Sequence, residues 1–186
     1  MSTDRATAFW RAVSRLRQDR ALGLRELEAC FATGTPPPAL NGRLRGRLLA
    51  ITAGYGVDLP AEFATRLWMP WLGKTFDHAA GTGRNDFTAG AGRLMRVALP
   101  RYRELMVEDT RRSSAFVFRT SAGPSALDPG TTVLRIDYRD VPENPSRSIR
   151  RVLDELVAID DGLFLGQALL DWRGRLRRAA WFSLER

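Results

Sequence analysis

Apolar and polar positions along the chain change period several times. From Asp4 to Arg20, Phe9, Trp10, Val13 and Leu16 recur at spacings of three and four, which predicts one face of a helix. Leu24, Leu27, Cys30 and Phe31 repeat the pattern, with Gly34 placed as a C-terminal stop. The run TGTPPPALNG then breaks helix, because its prolines remove backbone donors and fix φ. Beyond it, Leu44, Gly46, Leu48 and Ala50 alternate with Arg43, Arg45 and Arg47, the period of two of a half-buried strand. In PAEFATRLWMPWL, Phe63, Leu67, Trp68 and Trp71 return to helical spacing, which predicts a helix near 59–72 with Asp58 as cap. HAAGTGRND reads as a loop by composition.

The C-terminal half reads mainly as strand. Ser114 to Thr120, Thr132 to Tyr138, Leu163 to Leu170 and Leu176 to Leu184 are rich in aromatic and β-branched residues and are bounded by turn residues. The last two form a hairpin about Arg173-Gly174. One further helix is expected over 145–159, where Asn144 and Pro145 cap an apolar face of Ile149, Val152, Leu153, Leu156 and Val157. The expected fold is α+β: an antiparallel β-sheet or small β-barrel, with an N-terminal helical cap over 1–35 and a β-rich body over 36–186. One compact domain is expected from 186 residues.

Composition narrows the function classes. A hydrophobic fraction of 44% argues against disorder. The lone Cys30 excludes an internal disulfide, and the N-terminal stretch, with Asp4 and no continuous apolar run, has no signal-peptide pattern; both point to the cytoplasm. No window approaches the length of a membrane-spanning helix. The formal charge of +8 raises nucleic acid or anionic lipid as partners. However, 28 of the 29 basic residues are Arg and they are dispersed, so nucleic acid is not favoured over solvated, partly paired faces.

That arginine habit makes Lys74 conspicuous, since it is the only lysine. A retained Lys suggests a place where a compact ammonium works and a planar guanidinium does not. It lies in WLGKTFDH with Asp77 and the only histidine, His78, and could equally be an exposed loop lysine. Trp68, Trp71 and Phe76 could wall a ligand pocket or simply be core. Arg135 and Asp137 share one strand face, which must be paired or meet a ligand if it points inward. With one His and one Cys no metal site is expected, and whether a cofactor is bound is not legible. GTGR at Gly81 lacks the setting of a phosphate loop, and GPSAL at Gly123 lacks the second glycine of a nucleophile elbow.

GRLRGRLLA, WLGKTFD and VLRIDY together resemble an uncharacterised bacterial family that opens with a G-x-W-x-G strand and continues through a G-K-x-F-D segment. The resemblance runs from Gly42 to about Leu170. Gly42, Gly46, Gly73, Lys74, Phe76 and Asp77 match, and Leu44 stands where that family has tryptophan. G-x-W strands are also similar to those of lipocalin-type barrels. The resemblance implies a small β-barrel with a hydrophobic interior and no particular activity.

The expectation is a protein that binds a small hydrophobic or amphipathic ligand in a barrel. Its expected ligand-binding residues are Lys74, Trp68, Trp71, Phe76, His78, Arg135, Asp137, Tyr138, Phe116 and Phe118. Two alternatives stand beside it: an enzyme using Lys74, His78 or Asp137, and a basic surface module for nucleic acid or anionic lipid. Oligomeric state is not legible.

Overall fold

The computed structural model describes residues 2–52, 71–144 and 149–186. Two helices, α1 (Ser2–Arg15) and α2 (Arg20–Ala32), precede β1 (Gly42–Ile51), β2 (Trp71–Asp77) and β3 (Thr82–Thr88). Helix α3 (Ala89–Ala98) and the short β4 (Met106–Val107) lead into β5 (Arg112–Pro124) and β6 (Thr132–Asp137). A 3-10 turn over Ile149–Arg151 opens β7 (Val152–Asp160), followed by β8 (Leu163–Trp172) and β9 (Arg175–Glu185).

All pairings are antiparallel. The strands run in the order β3-β2-β1-β9-β8-β7-β6-β5, and β5 returns to β3, so eight strands close into a barrel. Strand β4 pairs with the first residues of β5, beside β6. The expected alternative of an open sheet is thereby decided in favour of the barrel. The β8–β9 hairpin turns at Arg173 and Gly174, both with positive φ (55° and 77°), as a two-residue hairpin of this twist requires.

Alternation along each strand sorts side chains into two cores. Inside the barrel lie Leu44, Phe76, Phe118, Ile136, Leu156, Phe164, Phe182 and Leu184. Outside, α1 and α2 cover one flank, where Phe9, Ala12, Leu27 and Phe31 bury Val133, Val157, Ile159, Leu165 and Trp181. The helices thus form a layer over the barrel wall. Asp19 caps α2, its Oδ1 accepting from the Leu22 amide at 2.9 Å. The proline-rich stretch is tied down: Thr35 bridges Ala158, and Leu40 is buried with the interior residues. No described helix is long and apolar enough to cross a membrane.

The helix expected over 145–159 is corrected. Residues 145–148 lie outside the described residues, and from Val152 the chain is strand. Because the helix layer covers the barrel wall here, β7 is buried on both faces and needs no polar face. Its apolar residues therefore fit helical spacing and a two-sided strand equally well. Asp154 and Glu155, which a helix would turn to water, are buried on opposite faces of the strand. The helix expected near 59–72 falls mostly outside the described residues; Trp71 and Leu72 open β2 instead. The expected loop HAAGTGRND contributes most of β3, since small and polar side chains still form a ladder when partners flank them on both sides.

Candidate functional site

Four polar side chains meet inside the barrel, one each from β2, β3 and β7 and one just past the end of β6. Lys74 is 1% exposed, and its Nζ donates to Asn85 Oδ1 at 2.8 Å, Tyr138 Oη at 2.6 Å and Asp154 Oδ2 at 2.7 Å. An ammonium has three N–H groups, so all are committed. Tyr138 donates its hydroxyl to the same Asp154 oxygen at 3.0 Å. Asn85 fixes the arrangement: its Oδ1 also accepts from Trp71 Nε1 at 3.2 Å, and its Nδ2 donates to Tyr138 Oη at 2.9 Å and the Phe116 carbonyl at 3.2 Å.

Aromatic faces surround the charge. Lys74 Nζ lies 5.3–5.6 Å from the ring centroids of Trp71, Phe118, Tyr138 and Phe182, within cation–π range. Burial lowers the Lys74 pKa, and the adjacent Asp154 carboxylate opposes that fall. Burial and the same carboxylate hold the Tyr138 phenol well above its ordinary value.

Two backbone irregularities place these groups. Gly73 has φ +142°, where the β2 register shifts against β3, and a Cβ there would stand 2.0 Å from the Leu44 carbonyl oxygen. Only glycine fits, and the bulge lets Trp71 and Lys74 both face inward. Phe116 has φ +56°, rare for a bulky residue, where β5 shifts register against β3. The bulge gives the Phe116 amide to Tyr102 Oη and its carbonyl to Asn85, and the Phe116 ring stacks on Tyr102 with centroids 5.4 Å apart.

The polar group borders a cavity of about 20 Å³ at the barrel end, lined by Trp71, Phe87, Phe116, Tyr138, Ile149 and Val152 together with Lys74, Asn85 and Asp154. Such a volume holds one water-sized group and not a drug-sized molecule. Phenylalanine and leucine side chains fill the rest of the barrel. Asp154 Oδ1 is buried with no hydrogen-bond partner among the described residues.

The expected site residues divide accordingly. Trp71, Lys74, Phe116, Phe118 and Tyr138 come together in or beneath this cavity. Trp68 lies outside the described residues. Phe76 and His78 line a separate cleft of about 240 Å³ at the opposite barrel end, against Pro37 to Leu40. Arg135 and Asp137 face outward, because Leu134, Ile136 and Tyr138 take the inner face of β6; Asp137 pairs with Arg139 at 2.5 Å. Lys74, His78 and Asp137 are therefore not one catalytic set. Gln167 also faces outward, donating to Glu155 at 2.7 Å and accepting from Arg178 at 2.6 Å. Asn85 and Asp154 are not among the expected residues, since composition predicts a loop at one and spacing predicts a helix at the other. The available signal was Lys74 itself, since a buried lysine requires a carboxylate on a facing element.

Among the described residues no group of three His, Cys, Asp or Glu is arranged to hold a metal ion. No protein-family model matches the chain, and no curated protein matches it. A solved structure does: the crystal structure of a protein from Thermomonospora curvata matches with a TM-score of 0.52 at 18% identity, covering 94% of this chain and 97% of that one. At this identity the likeness shows a shared fold and nothing of activity.

Proposed function

We propose that the barrel binds a small amphipathic molecule, whose neutral hydrogen-bond donor meets Asp154 Oδ1 and whose apolar part leaves the barrel end past Phe87, Phe116, Ile149 and Val152. The observation that carries this is a buried carboxylate oxygen with no hydrogen-bond partner among the described residues, on a residue that lines a water-sized cavity with mostly apolar walls. A buried acceptor without a donor costs about 1–3 kcal/mol, which a bound hydroxyl or amide would recover. Lys74 serves as a positioning residue: with its three N–H groups committed it has none for a ligand anion, and it holds the carboxylate oriented. Only the head group occupies the cavity, so small heads are selected over large ones.

Proton-transfer chemistry is a second reading, favoured by Lys74 and Tyr138 sharing one carboxylate oxygen while burial pushes their pKa values in opposite directions. Calorimetric titration of the purified chain with 1-decanol and with decyl methyl ether tests the binding reading. The alcohol should bind about tenfold or more tightly than the ether, because only the alcohol donates. Equal binding of both, or of neither, would sink it. Native mass spectrometry of the same preparation should show any co-purified ligand directly.

A further inference from the structure

Helix α3 leaves an apolar stripe uncovered. Its Ala89, Ala91 and Gly92 are buried against the barrel, whereas Leu94 and Val97, three residues apart and so on one helix face, are 67% and 80% exposed. Strand β4, against which α3 packs, leaves Met106 and Val107 51% and 50% exposed. Four large apolar side chains in adjoining elements are more than the single exposed hydrophobics of an ordinary surface.

The charge around them is predominantly positive. Residues 89–112 hold six arginines against three acids. The acids are already engaged: Glu104 with Arg84 at 3.3 Å, Glu108 with Arg43 at 2.6 Å, and Asp109 with the backbone amides of Arg111 and Arg112. Arg93, Arg96, Arg101 and Arg103 are exposed and make no ion pair among the described residues.

We propose that this face docks the protein on an anionic membrane surface. Leu94 and Val97 enter the boundary between head groups and acyl chains, with the partly exposed strand β4 alongside, and the four unpaired arginines meet lipid phosphates. Nucleic acid would use the arginines, but it offers nothing to the exposed apolar side chains of α3 and β4. The surface is built from α3, β4 and their flanking arginines alone, and it does not depend on what the barrel interior binds.

Vesicle flotation of the full chain tests it, with phosphatidylcholine vesicles prepared with and without phosphatidylglycerol. The wild type should float only with the anionic vesicles, less so as salt is raised. The double variants Leu94→Ser/Val97→Ser and Arg93→Gln/Arg96→Gln change exposed side chains, and circular dichroism should show them folded. Each should lose about tenfold or more of the vesicle-bound fraction. Absence of flotation with anionic vesicles overturns the proposal. So does full retention by the serine variant, and tight binding of duplex DNA by that variant would then assign the arginines to nucleic acid.

Discussion

Lys74 holds a charge where a charge is hardest to hold, and the residues around it show what makes that tolerable. Desolvation of an ammonium and a carboxylate costs several kcal/mol each, offset here by three charge-assisted hydrogen bonds and four ring faces. Replacing Lys74 alone leaves Asp154 buried and uncompensated, so Lys74→Met should cost about 3–5 kcal/mol in urea unfolding. Lys74→Met with Asp154→Leu removes both charges and should recover most of that loss. A double variant no more stable than the single one would show that the pair is not coupled. Composition singled out Lys74, the one lysine among arginines, but could not supply its partners. Whether Asp154 or Asn85 faces inward depends on the element that carries it, and both elements were assigned wrongly.

At the level of elements, legibility followed burial. Strands with one covered face, such as β1 up to Leu48 and β6 past Val133, carry a period of two and are read from the sequence. Even there a bulge past Leu48 turns Ala50 outward, under the helix layer. Strand β7 defeated the pattern because both its faces are covered, and β2 and β3 because glycines and polar residues stand where a strand ordinarily shows apolar ones. The helix layer is also what allows the barrel wall to carry Trp181, Val157 and Leu165 on its outer face. Phe9, fully buried between α1 and that wall, is its anchor. Phe9→Ala should lower stability by about 3–5 kcal/mol, and hydrogen exchange should accelerate in α1 before it does in β1 or β2. Uniform acceleration across the chain would mean that the layer is not a separable unit.

For the whole molecule, the sequence limited the architecture to a sheet or a barrel without deciding between them. Closure depends on β5 returning to β3, a pairing made across α3 and β4 that local periodicity does not encode. The folded barrel also sets the response to alkali. Burial raises the Tyr102 phenol to about 12 and holds Tyr138 well above 10. From about pH 10 upward the unfolded chain releases phenolic protons that the native barrel keeps, so stability should fall as pH rises. Lys74 acts in the opposite sense: its lowered pKa makes the native chain shed a proton first, and its contribution grows with pH up to its ordinary value of 10.5. Unfolding free energies measured from about pH 9 to 12 should decline above pH 10, less steeply in a Tyr102→Phe/Tyr138→Phe variant. An unchanged slope in that variant would rule out the phenols as the cause.

The position of β9 in the barrel has a consequence for biosynthesis. It lies between β1, the first strand, and β8, yet it is the last strand in chain order. Until it is made, β1 and β8 each carry an open edge of unpaired amides and carbonyls. Trp181 and Phe182, which complete the outer and inner cores, are also missing. A nascent chain can therefore build hairpins as it emerges, but the barrel can shut only after Glu185 has left the ribosome. During that interval its exposed edges depend on speed, or on a chaperone, for protection against pairing with a neighbour.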